Sequence, residues 1–318
     1  MSTIDQYVSA ATRDNTRRSY QSAIRHFEET WGGFLPTTAD SVARYLADHA
    51  ETLSVNTLRS RLAALAQWHQ EQGFADPTKA PLVKKVLKGI QALHPARAKQ
   101  ARPLQLEQLS ALVDWLERAM LDADREGRAG VRLRLARDRA LVLIGFWRGF
   151  RSDELCRMQI DNIEVVAGEG MVIYLPRSKT DRAARGQAYK APALSRLCPV
   201  NAYLDWVNLA QLKEGPVFAR IDRWGNVGDD ALRPGSLVPV LRGRFRAAGI
   251  AAPEQYSGHS LRRGFATWAN ANDWDVKDLM EYVGWKDVRS AMRYIDRADS
   301  FAQHRIESGL ATKSRPLS

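Results

Sequence analysis

The chain has 318 residues, a hydrophobic fraction of 45% and a formal net charge of +11. The hydrophobic content excludes a disordered chain, and the length allows two domains or one large domain. The positive charge favours a polyanionic partner, for which nucleic acid is the usual example, over a basic housekeeping enzyme.

Cysteine usage and the apolar segments predict the cellular setting. Cys156 and Cys198 give neither a disulfide framework nor metal-ligand spacing, which fits a reducing cytoplasm. The first residues lack the basic-then-apolar pattern of a secretory signal. The longest apolar run, ALVLIGFW at 140–147, is too short to cross a bilayer. We therefore expect a soluble cytoplasmic protein without a membrane partner.

Residues 1–94 have the pattern of consecutive helices. Apolar residues recur at three- and four-residue spacing in the segments 13–31, 38–50, 54–73 and 81–94. Ser54 or Asn56 is a candidate N-cap, and Pro81 suits the first turn of a helix. No strand-like alternation of any length occurs here, so the pattern predicts a small helical domain.

A short basic segment, PARAKQARP at 95–103, follows the predicted helical domain. Its two prolines, and the absence of any apolar residue larger than alanine, predict a linker. The parts of the chain on both sides of it are basic, so neither can be assigned as the sole nucleic-acid module. The simplest interpretation is a clamp that both parts form around DNA.

The second part of the chain, 104–318, mixes helices with a few strands. An amphipathic helix is expected over 104–120, and a more buried helix over 136–150. Apolar residues around the turn AGEG predict a hairpin of strands 163–166 and 172–175, with a possible third strand at 189–194. Helices return from residue 196, with loops over 213–235. The expected fold is mainly α with a small β-sheet in this part.

Several common chemistries have no support in the sequence. There is no Gly-Lys dipeptide for an ATP-binding P-loop, no His or Cys cluster with metal-ligand spacing, and no G-x-S-x-G elbow. The acidic residues are scattered at ordinary surface spacings, which argues against a two-metal carboxylate site. An enzyme with this sequence would therefore use cations and a nucleophile of its own, and we expect no cofactor and no metal.

Four segments hold the remaining candidates: GFRSDEL (149–155), RSKTD (177–181), GHSLRRGFAT (258–267) and GWKDVRSAMRYI (284–295). The candidate side chains are Arg151, Lys179, His259, Arg262, Trp285 and Tyr294. Each has an ordinary structural explanation when taken alone: an ion pair, a solvated lysine, or a core histidine, tryptophan or tyrosine. His259 and Arg262 are three residues apart, so a helix would set both on one face.

The order of these residues resembles that of the tyrosine recombinases, also called the phage-integrase family. An arginine is followed by a lysine in a hairpin, then His-x-x-Arg, Gly-Trp and a tyrosine, and the likeness extends over nearly the full chain. The chain is most similar to the simple two-domain members of the Cre and Xer type. Trp285 differs from many members, which have a second histidine there, but its indole keeps an N–H donor.

The resemblance implies a helical core-binding domain at 1–94 and an α+β catalytic domain at 104–318. It makes Tyr294 the nucleophile, which would form a 3′-phosphotyrosyl link and leave a free 5′-hydroxyl. Arg151 and Arg262 would grip the phosphate, and His259 would serve as acid or base. Lys179 would protonate the leaving oxygen. The covalent link stores the bond energy, so no ATP is needed.

The resemblance also implies partners: double-stranded recombination sites, with a dimer on one site, a homotetramer on two paired sites and a monomer when the protein is free. The location would be a bacterial-type cytoplasm, at the nucleoid. The tail after Tyr294 would pack on its own domain or dock on a neighbouring subunit. Two rival functions share some of these features, namely a type IB topoisomerase and a DNA-binding regulator with an idle site.

Residues close to these candidates receive supporting roles. Glu154 is expected to orient Arg151, whereas Arg148 and Arg263 are expected to form ion pairs or backbone contacts. Tyr282 fits a core position better than that of the nucleophile. Candidate DNA contacts in the helical domain, for which a plain solvated face is an equal alternative, are Arg59, Arg61, Lys84, Lys85 and Lys88.

Overall fold

The computed structural model describes residues 14–95, 100–176 and 186–292. By its internal contacts the chain divides into two compact units, Met1–Lys99 and Gln100–Ser318. The division falls within the basic segment 95–103. A separate function for each unit stays a prediction.

The first unit is helical throughout its described residues. Its helices are α1 (Asp14–Arg25), α2 (Ala39–Asp48), α3 (Val55–Glu71) and α4 (Pro81–Leu93), with a five-residue π-type turn, His26–Thr30, after α1. The side chain of Thr38 accepts a hydrogen bond from Ser41 N and caps α2, and Ser54 caps α3 through Thr57 N. These caps satisfy amide groups that would otherwise lack partners within the helix.

The core of the first unit lies between these helices. α1 packs on α3, and α2 packs on α4. The fully buried side chains at the centre are Phe27, Val42, Tyr45, Leu46 and Leu58. They recur at the three- and four-residue spacing that predicted the helices, because this spacing places side chains on one helical face.

The second unit contains most of the helices and all of the strands described. Its helices are α5 (Leu106–Arg125), α6 (Ala129–Trp147), α7 (Ser152–Cys156), α8 (Pro199–Leu209), α9 (Pro234–Ala247), α10 (Gly258–Ala271), α11 (Val276–Val283) and α12 (Val288–Met292). Helix α6 begins seven residues before the predicted start at 136, so the charged stretch ahead of the apolar run is part of the same helix. No helix among the described residues is both long and apolar enough to span a membrane.

Two small sheets accompany these helices. Strands β1 (Ile163–Val166), β2 (Gly170–Leu175) and β3 (Gln187–Pro192) form an antiparallel sheet in the order β1-β2-β3. The predicted hairpin is confirmed, and β3 begins two residues before the predicted third strand. A second pair, β4 (Ala219–Ile221) and β5 (Val227–Ala231), lies where the sequence predicted a loop. β5 contains two aspartates and a glycine, so its composition gave no strand signal.

Helix α6 is the centre of the second unit. Nearly every residue from Leu135 to Trp147 is buried, and the helix packs against α5, α8 and α10. A helix that is buried on all sides has no polar face. With the helices around it and the small three-stranded sheet, the structure confirms the predicted mainly helical fold.

The chain enters the second unit along helix α10. Arg102 N donates to Gln255 O and Leu104 N donates to Ser260 O, both at 3.0 Å. A methyl group added at Gly264 would lie 2.1 Å from Leu104 O. Only glycine at this position lets the segment 102–104 lie this close to helix α10.

Candidate active site

Four of the predicted site residues meet where three elements of the second unit converge. Arg151 and Glu154 belong to the start of α7, Arg262 to α10, and Trp285 to the turn between α11 and α12. Lys179 and Tyr294 lie outside the described residues. Their roles stay predictions.

The start of α7 fixes Arg151. Arg151 is the N-cap residue, with extended backbone, and its N–H donates to Glu154 Oε2 at 2.8 Å. Its Nη1 donates to the other oxygen of the same carboxylate, Glu154 Oε1, at 2.6 Å. Glu154 is buried, and a carboxylate at the first turn also favours the helix dipole. The sequence prediction named this pair, and the structure places the two side chains in contact.

Glu154 also lies close to the second arginine. Arg262 is 1% exposed, and its Nη1 donates to Gly149 O at 2.6 Å. The same nitrogen is 3.9 Å from Glu154 Oε2. One buried carboxylate therefore lies between two guanidinium groups, and the three groups together carry a net positive charge. Such a charge favours binding of an anion.

Trp285 packs on Arg262. Helix α11 ends at Gly284, whose φ of +76° is the left-handed conformation that glycine adopts without strain. The next residue, Trp285, donates its backbone N–H to Met280 O at 2.8 Å, and Arg262 Cζ is 4.9 Å from the centre of its ring. The indole face thus restricts the orientation of the Arg262 guanidinium. As the sequence predicted, Trp285 lies in the turn and not in the helix that follows.

His259 lies at the opposite end of the burial range from Arg262, although both are in helix α10. His259 is exposed in the first turn, whereas Arg262, one turn later, is buried. Ser257 caps this helix and accepts from His259 N at 3.2 Å. Residues three apart lie on one side of a helix, and this side of α10 runs from the exposed His259 to the buried Arg262 one turn later.

A third arginine, Arg148, forms the backbone contact that the sequence allowed. Its Nη2 donates to Tyr282 O, and its guanidinium lies 3.7 Å from the centre of the Tyr282 ring. Tyr282 also stacks on Phe265, in agreement with the predicted core position. Tyr189, on β3, was not singled out from the sequence. Burial, with a smaller effect of Glu154, raises the pKa of its hydroxyl.

The five candidate DNA contacts of the first unit differ in their exposure and in their hydrogen bonds to other residues. Lys84, Lys85 and Lys88 are exposed on α4, and Arg59 is exposed with its Nη2 donating to Gln91 Oε1 at 2.8 Å. Arg61 is half-buried, and its Nη1 donates to Tyr45 OH at 2.7 Å and contacts His26 Nδ1. The contacts of Arg61 lie inside its own unit, which favours a structural role over a DNA contact for this residue.

Side chains that could hold a metal are also relevant to the chemistry of the site. Within residues 14–95, 100–176 and 186–292 there is no group of three or more His, Cys, Asp or Glu side chains placed to bind a metal ion. Cys156 is buried, and burial raises the pKa of its thiol to about 12. This cysteine is a packing residue in the second unit, without thiolate character at neutral pH.

Comparison with known proteins identifies the family. The model of the phage integrase family matches residues 104–300. An integrase/recombinase XerD homolog of Selenomonas ruminantium is 27% identical over 303 residues, which are 92% of this chain and 84% of the relative. The Cre recombinase of Escherichia phage P1 is 25% identical, over 84% of this chain and 78% of the relative.

A solved structure shows the same fold. The XerH site-specific recombinase bound to a palindromic difH substrate, in its post-cleavage complex, superposes with a TM-score of 0.61. The sequence identity is 19%, and the match covers 92% of this chain and 78% of that one. The family match covers more than half of the chain and includes every residue of the candidate site. The chain belongs to the phage integrase family and is a tyrosine site-specific recombinase.

Proposed function

We propose that this recombinase cleaves double-stranded DNA with Tyr294 and exchanges strands between two recombination sites, with Arg151 and Arg262 as the phosphate-binding pair. The observation that carries the proposal is the shared contact of both guanidiniums with the buried Glu154. A carboxylate between two arginines fixes both donor groups before substrate binds. Donors fixed in this way stabilise charge that develops in a transition state without reorganising.

The chemistry matches the donors. Attack of the tyrosine oxygen on a phosphodiester gives a pentacoordinate phosphorus with charge on its non-bridging oxygens. Guanidinium groups offer planar paired N–H donors to such oxygens and stay charged throughout the reaction. Trp285 holds the Arg262 guanidinium against its ring and places an indole N–H donor in the same region.

In this proposal His259 and Lys179 transfer the protons. Because an ordinary tyrosine has a pKa near 10, only about 0.1% is phenolate at neutral pH. His259, exposed at the first turn of α10, can accept the phenol proton as Tyr294 attacks. The P–O5′ bond then breaks and Lys179 gives a proton to the leaving 5′-oxygen. The products are a 3′-phosphotyrosyl bond and a 5′-hydroxyl. A 5′-hydroxyl from the partner site then attacks the phosphotyrosyl phosphorus, the P–O bond to Tyr294 breaks, and the tyrosine oxygen takes back a proton.

The proposal includes the assembly on DNA. The XerH relative is bound to its difH substrate in the post-cleavage complex, which supports a DNA site as partner. The exposed lysines of α4 and the basic charge of the chain support contacts of each unit with the duplex. One dimer per site and a homotetramer on two paired sites complete the proposal, in a bacterial-type cytoplasm.

The test of this function is a covalent DNA adduct. The full chain is incubated with fragmented genomic DNA of its source in EDTA without ATP, and SDS-resistant adducts are isolated and their DNA sequenced. We expect one short site to be enriched and the peptide containing Tyr294 to carry the nucleotide. Tyr294→Phe should bind the site and form no adduct, whereas the control Tyr203→Phe, on α8, should form adducts as wild type does. Adduct formation by Tyr294→Phe would overturn the assignment.

The DNA site recovered from the adduct also allows recombination to be distinguished from DNA relaxation. A supercoiled plasmid with two copies of the trapped site should yield two circles or an inversion, depending on site orientation. Relaxed circles as the sole product, equally from plasmids with one copy or none, would indicate a topoisomerase-like activity instead. Binding of the site without any cleavage would indicate a DNA-binding regulator.

A further inference from the structure

We infer that Arg148 is a positioning residue for strand cleavage, because it fastens the turn that bears Trp285 to the Arg151–Arg262 pair. The inference rests on the proposed function, since cleavage is its readout. Arg148 lies at the C-cap of α6, three residues before Arg151.

The first observation is a buried charge without a carboxylate. Arg148 is 2% exposed, and among the described residues it forms no ion pair, while its Nε has no hydrogen-bond partner there. Arg137 is the matched contrast on the same helix. It is similarly buried, but its Nε and Nη2 donate to Asp138 Oδ1 at 3.0 and 2.8 Å. A buried guanidinium without a counter-ion is costly, and burial lowers the pKa of Arg148.

The second observation is the set of groups that compensate for this cost. The Arg148 guanidinium carbon lies 3.7 Å from the ring centre of Tyr282, 5.4 Å from that of Tyr189 and 5.9 Å from that of Phe150. Its Nη2 also donates to the Tyr282 carbonyl. Desolvation strengthens a cation–π contact, so the three rings and the carbonyl together compensate for the missing counter-ion.

The third observation is where these partners sit. Phe150 adjoins Arg151, Tyr189 is on β3, and Tyr282 lies in the last turn of α11. Arg148 therefore joins the three elements that border the arginine pair. A methionine or leucine could fill the same space at a lower desolvation cost, but neither could bond the Tyr282 carbonyl.

The contacts continue from Arg148 to Arg262 in two directions. Gly149, with φ of +57°, accepts a hydrogen bond from Arg262 Nη1 through its carbonyl oxygen, and a methyl group added at Gly149 would lie 3.1 Å from Val283 Cγ1. On the other side, a methyl group added at Gly284 would lie 3.0 Å from the Tyr189 ring, and Trp285 packs on Arg262. If Arg148 releases the Tyr282 carbonyl, the end of α11 and the Trp285 turn lose one of their attachments to the arginine pair. Helix α12 follows this turn, and Tyr294 comes two residues after its last residue.

The first variant is Arg148→Met, which keeps most of the volume and removes both the charge and the donors. We expect single-turnover cleavage at saturating protein to fall roughly 10- to 100-fold, because a misplacement of about 1 Å can reduce a rate by about 100-fold. Affinity for the trapped site should stay within about twofold. Arg137→Met is the matched control, since it should lower stability while its folded fraction cleaves at the wild-type rate. Cleavage by Arg148→Met at the wild-type rate would overturn the inference.

The second variant, Arg148→Lys, gives a pH signature that a space-filling residue cannot produce. A lysine at this site would have a lowered pKa through burial, and the titratable groups that face it are Tyr189 and Tyr282. Its cleavage relative to wild type should be highest at low pH and fall as pH rises and the lysine loses its proton. A ratio that stays constant between pH 6 and 9 would count against the inference.

A double-mutant cycle tests the route through Tyr282. Tyr282→Leu removes the ring, so Arg148→Met and Tyr282→Leu should be less than additive in the cleavage rate. Strict additivity would contradict a shared action. Failure of the wild-type chain to form the Tyr294 adduct would instead overturn the proposed function, so the two failures remain distinguishable.

Discussion

Helix α4 of the first unit and the candidate site of the second unit hold their basic side chains in opposite ways. On α4 of the first unit, Lys84, Lys85 and Lys88 are exposed. In the second unit, Arg148 and Arg262 are almost completely buried and lie against aromatic rings. A solvated lysine keeps its rotamer freedom and can follow an uneven backbone, whereas a packed guanidinium has one orientation.

This difference separates affinity from chemistry. Exposed cations bind phosphates one by one, each releasing counterions, so their contributions are similar, roughly additive and sensitive to salt. Packed arginines are oriented before substrate arrives, so their contribution is concentrated in the transition state. The Glu154 carboxylate, which lies between Arg151 and Arg262, has no counterpart among the exposed lysines of α4.

The largest effect that should sharpen this contrast is on cleavage. Arg151→Lys or Arg262→Lys keeps the charge but removes the planar paired donors, so single-turnover cleavage should fall by roughly 10²–10³. Binding to the site should change far less, because many other phosphate contacts hold the complex. Arg157→Lys is the control, since Arg157 forms an exposed pair with Asp153 at the end of the same short helix. An Arg262→Lys protein that binds weakly yet cleaves normally would break the contrast.

A smaller effect is expected on the stability of the second unit. Gly264→Ala would force a methyl group against Leu104 O and Phe146, and overpacking of this kind costs about 1–3 kcal/mol. Gly243→Ala on α9 is the matched control, because no described atom other than those of its chain neighbours and its own helix backbone lies within 4 Å of the added methyl. It should stabilise the helix by about 0.5–1 kcal/mol. Urea midpoints of the two variants should move in opposite directions, and a gain for Gly264→Ala would refute the close approach of the 100–105 segment.

The exposed lysines should show a modest effect of a different kind. Lys84→Ala or Lys85→Ala should weaken site binding several-fold and reduce the slope of log K against log salt by about 0.9 for each phosphate that the protein no longer neutralises. Cleavage within complexes already formed should be close to normal. Lys79→Ala provides the control, because Lys79 lies near Asp76 at 3.7 Å. An unchanged salt slope would remove the substituted lysine from the DNA interface.

The smallest expected effect is on the pH dependence of the stability of the first unit. Burial, followed by the charges of Arg61 and His49, lowers the pKa of His26 below 6.5. The folded unit therefore binds fewer protons than the unfolded chain near pH 6. The contribution of His26 to the free energy of unfolding should be fully present above pH 6.5 and decrease as pH falls below that value. His26→Gln should flatten this dependence in denaturant unfolding between pH 7.5 and 5.5. Equal pH dependence in both proteins would exclude His26 as its source.

The sequence by itself determined the helices and the order of the site residues. Helical periodicity and capping are local properties, so the sequence predicted the apolar stripe through Leu58 and Leu65 and offered Ser54 or Asn56 as the N-cap, of which the structure selects Ser54. The pairing of Arg151 with Glu154 was also readable, because residues three apart meet within one helical turn. The family likeness needed only the order of the site residues along the chain.

Tertiary structure alone decided which distant residues hold Arg262, Arg148 and Arg61. The proximity of Arg262 to Glu154, the aromatic surroundings of Arg148 and the bond from Arg61 to Tyr45 all join residues that are distant in sequence. The strands β4 and β5 depend in the same way on pairing with each other, not on their composition. The number of available partners for an arginine is large, and packing of whole elements selects one of them. The burial of Arg148 and Arg262, and their partners beyond the local sequence, are therefore decided only when elements from different parts of the chain meet.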